Sequence, residues 1–139
     1  MSRLLVMACS ATKADKFGAA IHVYQGPGFR IARPYWGRGG HVLIISAFHG
    51  ILEPAVCIHP YDKKLTKDNG PEFDPLSLHN IYKHMDAGAH EDCLLFGGEL
   101  YAKWFDQALD LAGCGDVQYR KTAGGIGEQL HELKEWCEQ

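Results

Sequence analysis

The stretch HVLIISAFHG, His41 to Gly50, decides how this chain is read. Val42, Leu43, Ile44 and Ile45 are apolar at successive positions, so both sides of a pleat would be buried. Strict alternation marks a sheet with one wet face, whereas a continuous apolar run suits a parallel strand with helices on both faces. The run then breaks into Phe48-His49-Gly50, and a strand built only for packing has no need of an imidazole there. The expectation is a strand over 41–47 that presents His49 at its carboxyl end.

Working outward, "RLLVMA" (3–8) and "DCLLFG" (92–97) read the same way, and "DVQYRK" (116–121) is a weaker fourth strand. Helical patterns lie between and after them. "DPLSLHNIYKHM" opens with Asp74 as N-cap and Pro75 at the first helical position, with Leu78, Ile81, Tyr82 and Met85 on one face. In "GELYAKWFDQALDLAG" the expected stripe is Leu100, Trp104, Ala108 and Leu111, with Tyr101 and Phe105 beside it, and Gly113 closes the helix. "IGEQLHELKEWCEQ" repeats the design with Ile126, Leu130, Leu133 and Cys137. A helix is also expected over 28–37, kinked or shortened by Pro34. Alternating strands and helices predict an α/β fold, a three-layer sandwich around a mostly parallel sheet of about four strands. The 139 residues suit one domain, 1–139, and leave 51–73 as a long polar loop of the kind that carries function.

Composition narrows the class of function. A hydrophobic content of 46% with 22% charged residues is that of an ordinary globular protein. No apolar run reaches the roughly 18 residues of a membrane span, and the apolar N-terminal stretch is too short for a signal peptide, so a cytoplasmic protein without a membrane partner is expected. The five cysteines are odd in number and never closely spaced, which argues against a disulfide framework, a zinc ribbon or a CxxC redox pair. The histidines are scattered, and His79 and His84, five apart, do not share a helical face. No metal and no cofactor is therefore expected. Charge is uneven: residues 1–67 carry nine Lys and Arg against three acids, and residues 68–139 carry five against fourteen. One face favouring anions is the implied feature, unless the two halves interleave in space.

In a parallel α/β sheet, ligands gather beyond the carboxyl ends of the strands. Each expected strand ends in residues that packing alone does not require: Cys9 to Lys13, Phe48-His49-Gly50, Gly97-Gly98, and "KTAGGIGEQ" with Gly125. Glycines at a helix start expose backbone N–H groups to an anion, or simply make tight turns. Neither GxGxxG nor the Walker pattern is present. Lys13, beside the hydroxyls of Ser10 and Thr12, reads as a phosphate ligand, a nucleophilic amine or a surface lysine. Cys9 reads as a packing residue, because no partner base is evident. In "HPYDKKL", Asp62 is the leading catalytic carboxylate, able to orient water or steady a cation, or else it caps a turn. Tyr24 and Phe29, near Arg30 and Arg33, would serve base stacking or the core.

The order of "CSATK", "VYQGPGFRIAR", "LIISAFHGILEP", "IHPYDKKL", "LLFGGELY" and "GGIGEQL" resembles a family of small bacterial and phage domains related to YaaA-like peroxide-stress proteins and to a domain within archaeosine synthases. The resemblance covers most of the chain, rests on motif order, and departs from the pattern at Pro34. It implies nucleic-acid business. The wider group is similar in layout to uracil-DNA-glycosylase-type folds, although the carboxylate-containing first motif of that family is missing here. Ser10, Lys13, His49, Tyr61 and Asp62 match the family motifs, and the resemblance implies that they line a pocket for a base or nucleoside. Two functions follow as expectations. The first is binding of a nucleobase, nucleoside or modified DNA base with cleavage or exchange of an N-glycosidic bond. There Asp62, His49 and Lys13 would be catalytic, Phe48 would join Tyr24 and Phe29 in stacking, and Gly97, Gly98 and Gly125 would help grip phosphate. The alternative is a non-enzymatic DNA-binding stress-response module, and small-molecule binding without nucleic acid is a third reading. Oligomeric state has no signature in the sequence.

Overall fold

The computed structural model describes residues 3–9, 13–60, 73–85 and 92–139. Ser10, Thr12, Tyr61 and Asp62 lie outside the described residues. In chain order the first elements are β1 (Arg3–Ala8), β2 (Gly18–Ala19), α1 (Ala20–Val23), α2 (Pro27–Gly37), β3 (His41–Ser46) and β4 (Gly50–Leu52). There follow β5 (Cys57–Ile58), α3 (Pro75–Met85), β6 (Asp92–Phe96), α4 (Glu99–Leu111), β7 (Arg120–Lys121) and α5 (Ile126–Glu138).

The apolar runs make the sheet's centre. Parallel β3, β1, β6 and β7 lie in that order, with β4 antiparallel on the outer side of β3, so the described sheet has five strands rather than about four. Successive residues of the inner strands point to opposite faces, and each face has its own core. Leu5, Met7, Val42, Ile44 and Leu94 meet Phe29, Ala32 and Tyr35 of α2 and Leu133 and Trp136 of α5. Leu4, Val6, Leu43, Ile45 and Leu95 meet Ile81 and Met85 of α3 and Phe105, Ala108 and Leu109 of α4. That double burial is why the strands are apolar at every position.

β4 explains the break after Ser46. Ser46 pairs with Gly50 across a three-residue turn, and the N–H groups of Phe48 and His49 both donate to Ser46 Oγ, at 3.2 and 2.9 Å. Gly50 has φ +80°, the left-handed conformation that closes such a hairpin at no steric cost for glycine. The glycine is thus a requirement of the turn, while Phe48 and His49 are not. Among the described residues no further strand pairs with the outer edge of β4. Ser77 Oγ accepts the Ile51 N–H (3.0 Å) and Asn80 Nδ2 donates to the Ile51 carbonyl (3.2 Å), so two buried polar side chains of α3 stand in for a neighbour. This coverage blunts an edge that would otherwise invite strand addition.

Several expected elements shift. β7 keeps only two residues of the predicted 116–121 strand, both exposed at the edge. α2 runs unbroken through Pro34, which leaves out one intrahelical hydrogen bond on an exposed flank. In α4 the buried residues are Ala102, Phe105, Ala108 and Leu109, and Leu111 is 59% exposed, so the expected stripe was turned too far round the helix. The two alanines allow close approach to the sheet, which the larger Leu100 and Trp104 would not. α5 buries Leu133, Trp136 and Cys137 and leaves Ile126 exposed. α3 starts as expected, with Asp74 Oδ1 accepting the Ser77 N–H at 2.8 Å. Gly113, at φ +77°, ends α4: its N–H reaches the Asp110 carbonyl and that of Cys114 the Leu109 carbonyl.

Candidate functional site

Four parallel strands place their carboxyl ends on one rim of the sheet. The chain leaves β1 towards α2 on one face and leaves β6, the adjacent strand, towards α4 on the other. This is a topological switch point, where diverging connections open a crevice. Cys9 follows β1 on one side of it, and Gly97, Gly98 and Tyr101 follow β6 on the other. Cys9 Sγ lies 3.2 Å from Tyr101 Oη, and the Ala47 N–H at the end of β3 points at the same sulfur from 3.4 Å. Gly97 is present for closeness, because a side-chain carbon there would lie 2.7 Å from Ala8 Cβ. Gly98 is exposed, with open space around it, and starts α4 without a side-chain cap.

A second group of contacts joins this crevice to the β3–β4 turn. Ser46 Oγ, which holds the turn, lies 3.1 Å from Tyr24 Oη, and the Lys13 ammonium is 6.0 Å from the centre of the Tyr24 ring. Lys13 and His49 thereby belong to one connected region. Phe48 is 57% exposed and sits edge-on to His49 at 4.8 Å between ring centres. Tyr24 and Phe29 do not provide stacking surfaces. They are packed on each other in the core, at most 2% exposed, with no free face for a base. Gly125 starts α5 at the same rim with open space around it. Beside it Gly124 makes the turn at φ +91°. Gln129 and Thr122 brace this turn, with Gln129 Nε2 donating to the Gly124 carbonyl.

Burial sets the proton inventory. The His49 imidazole is held below its ordinary value by burial, which keeps it neutral at pH 7. Tyr101 is pushed up by burial and by the adjacent Cys9, so its hydroxyl stays protonated and able to donate. The thiols of Cys93 and Cys137 are raised by burial, to about 12 and about 11, and lie in the two cores. Cys9 differs from them in facing two polar groups at the rim, the Tyr101 hydroxyl and the Ala47 N–H.

Several cations of the first half have structural duties. Arg33 donates to the carbonyls of Ile21 and Tyr24, and Arg3 and Arg38 to backbone oxygens at the end of α5. Among the described residues no three His, Cys, Asp or Glu side chains gather to hold a metal ion, and no helix is long and apolar enough to cross a membrane.

Sequence reasoning undervalued Cys9, Ser46 and Tyr101. Cys9 meets Tyr101 and Ser46 meets Tyr24 across 92 and 22 positions of chain, so neighbouring residues gave no cue to these contacts. The strand-end position of Cys9 was the one usable signal.

A family model described as "Family of unknown function (DUF6884)" matches residues 4–135. The chain belongs to that family. The match takes in all five strands of the main sheet and both sides of the crevice, and the family's description carries no activity. No curated protein matches the chain.

Proposed function

We propose that the crevice at the ends of β1 and β6 binds a nucleobase or nucleoside and that the protein acts on its N-glycosidic bond. The observation that carries this reading is the meeting of Cys9 and Tyr101 across the switch point, in a region continuous with His49 and Lys13. Phe48 offers an exposed ring beside His49 on which a flat ligand could stack. The resemblance to YaaA-like proteins and archaeosine synthases supports a base as that ligand.

In hydrolysis, water bonds to C1′ as the C1′–N bond breaks, and the bonding pair passes to the base nitrogen. A neutral imidazole takes the proton from water and returns one to the base, so no net proton is consumed. Tyr101, held protonated, donates a hydrogen bond to the departing base. Lys13 neutralises a neighbouring phosphate. Asp62 is the carboxylate proposed to steady the oxocarbenium ion.

Base release from modified single-stranded and duplex oligonucleotides tests the reading, alongside calorimetric titration with nucleosides. His49→Ala and Asp62→Ala should each lower the rate at least ~100-fold while Tm changes little. Absence of both base release and nucleoside binding at millimolar concentration in the unaltered protein would remove the reading.

A further inference from the structure

The opposite part of the molecule carries a different feature. α2 and α5 pack side by side on one face, and a groove of about 440 Å³ runs between their outer surfaces. Arg30 and Pro34 of α2 and Arg38 at its C-cap follow one another at intervals of four, and Lys134 and Glu138 do the same along α5. Such spacing keeps each set on one side of its helix. Past Arg38 the groove opens into a second cavity of about 500 Å³, lined also by Arg3, Gly40 and His41. Arg38, Cys137 and Glu138 line both, so the two form one trough.

Its charge is at odds with the rest of the chain. Arg3, Arg30, Arg38 and Lys134 line it against one carboxylate side chain, Glu138, in a protein whose net charge is −3. Two of the cations are already positioned. The Arg3 guanidinium lies 4.4 Å from the centre of a Trp136 ring and donates to the backbone oxygens of Trp136 and Gln139. Arg38 donates to the Cys137 carbonyl at 3.0 Å. A guanidinium has five N–H groups, so fixing one or two orients the others without exhausting them. Arg30 and Lys134 are exposed and complete the row. Arg38 lies eight positions beyond Arg30, and at 1.5 Å per residue that is about 12 Å of cationic wall.

The geometry points to a phosphodiester-binding groove for single-stranded nucleic acid along α2 and α5. One small anion would satisfy one end of a wall this long, whereas a chain of phosphates meets all of it. A concave slot between two helices admits one strand and excludes the breadth of a duplex. Ile31 and Pro34 give the slot an apolar side for the sugars. The groove stands apart from the strand-end crevice, so it can hold a strand whether or not a base enters there.

The test is fluorescence anisotropy of a labelled single-stranded thymidine 12-mer at low salt, repeated across a salt series. The double variant Arg30→Glu/Lys134→Glu changes two exposed side chains and should leave Tm unaltered. It should weaken binding at least ~10-fold and flatten the log–log salt dependence by about 1.5, near the 0.7 per lost contact expected for single strands. Lys103→Glu, on α4 at the other face, should bind as the unaltered protein does. The inference is overturned by failure of the 12-mer to bind, by an unchanged affinity in the double variant, or by an equal loss in Lys103→Glu. It is also overturned if millimolar inorganic phosphate displaces the strand, which would mark a site for one small anion. A loss of base release without loss of 12-mer binding would count against the crevice alone.

Discussion

The two rims of the sheet treat polar groups in opposite ways. At the amino-end rim, charges meet backbone or one another. Arg3 and Arg38 donate to the last backbone oxygens of α5, Asp92 accepts the Trp136 indole N–H, and Glu53 binds Lys83 and His84. At the carboxyl-end rim Lys121 pairs with Glu99. The contacts around the switch point, however, are made by uncharged groups from separate elements, a thiol, two phenols, a serine and a neutral imidazole, with the Lys13 ammonium near one phenol. The first arrangement complements helix C-termini, whose carbonyls attract cations. In the second, α2, α4 and α5 begin at glycines without side-chain caps, so their first N–H groups face outward. The contrast teaches that the amino-end rim is built for stability, whereas the carboxyl-end rim is where the proposed ligand site would lie.

The largest expected effect lies at the amino-end rim. Trp136 is 2% exposed, packs 5.4 Å from Tyr35, supports Arg3 and donates to Asp92 at 2.9 Å. Trp136→Ala should cost about 3–5 kcal/mol in urea unfolding, as large aromatic truncations in a core do. Tyr101→Phe, at the other rim, removes only a hydroxyl and should cost about 1 kcal/mol. If Tyr101→Phe were the more destabilising of the two, the division of labour between the rims would be wrong.

Adjacent glycines sharpen the comparison within one turn. A methyl at Gly97 would meet Ala8 Cβ at 2.7 Å, whereas one at Gly98 would meet nothing within 4 Å. Gly97→Ala should therefore cost about 1–3 kcal/mol, because β1 and the start of α4 must move apart. It should also separate Tyr101 from Cys9 and weaken ligand binding. Gly98→Ala should cost under about 1 kcal/mol, the loss of a favourable N-cap residue. Chemical denaturation of both variants checks the order, and equal costs would mean that the close approach is not required.

The same contrast shows what could be read from the sequence. β1, β3 and β6 were legible because burial on both faces leaves an uninterrupted apolar run. β4 was not, since three residues carry no periodicity and its edge is satisfied by Ser77 and Asn80 from a helix 26 to 29 positions away. The α4 stripe was right at Ala108 but ran through Leu100, Trp104 and Leu111, whereas the buried side continues through Ala102, Phe105 and Leu109. Tyr24 and Phe29 looked like stacking surfaces beside arginines, yet Arg33 turns inward to hold backbone carbonyls and both rings are core. Lys13 and His49 were singled out by their place after strand ends, a topological argument that needs no contact information. Cys9 was discounted because its partners, Ala47 and Tyr101, lie 38 and 92 positions away.

The smallest effect tests whether the imidazole is shielded as described. His49 is held below its ordinary value of 6.5 by burial, so the folded chain resists its protonation. As pH falls below that value, the unfolded state takes up a proton that the folded state refuses, and stability declines. The contribution is complete above the unfolded value and is lost as pH falls through the folded one. His49→Gln removes the group from both states. The advantage of the unaltered protein over this variant should therefore shrink as pH is lowered from 7.5 to 5, in paired denaturation curves. Glu53 gives the comparison at the other rim. Burial alone would raise its carboxyl, but hydrogen bonds and charge from His84 and Lys83 outweigh that and hold it below the usual range. Its contribution persists until the pH falls through ordinary carboxylate values, so Glu53→Gln should alter the curve only at more acid pH. Two separate windows, the His49 window above the Glu53 one, follow from a neutral imidazole at one rim and an ion-paired carboxylate at the other. A single shared transition would mean that His49 is not held neutral by its surroundings.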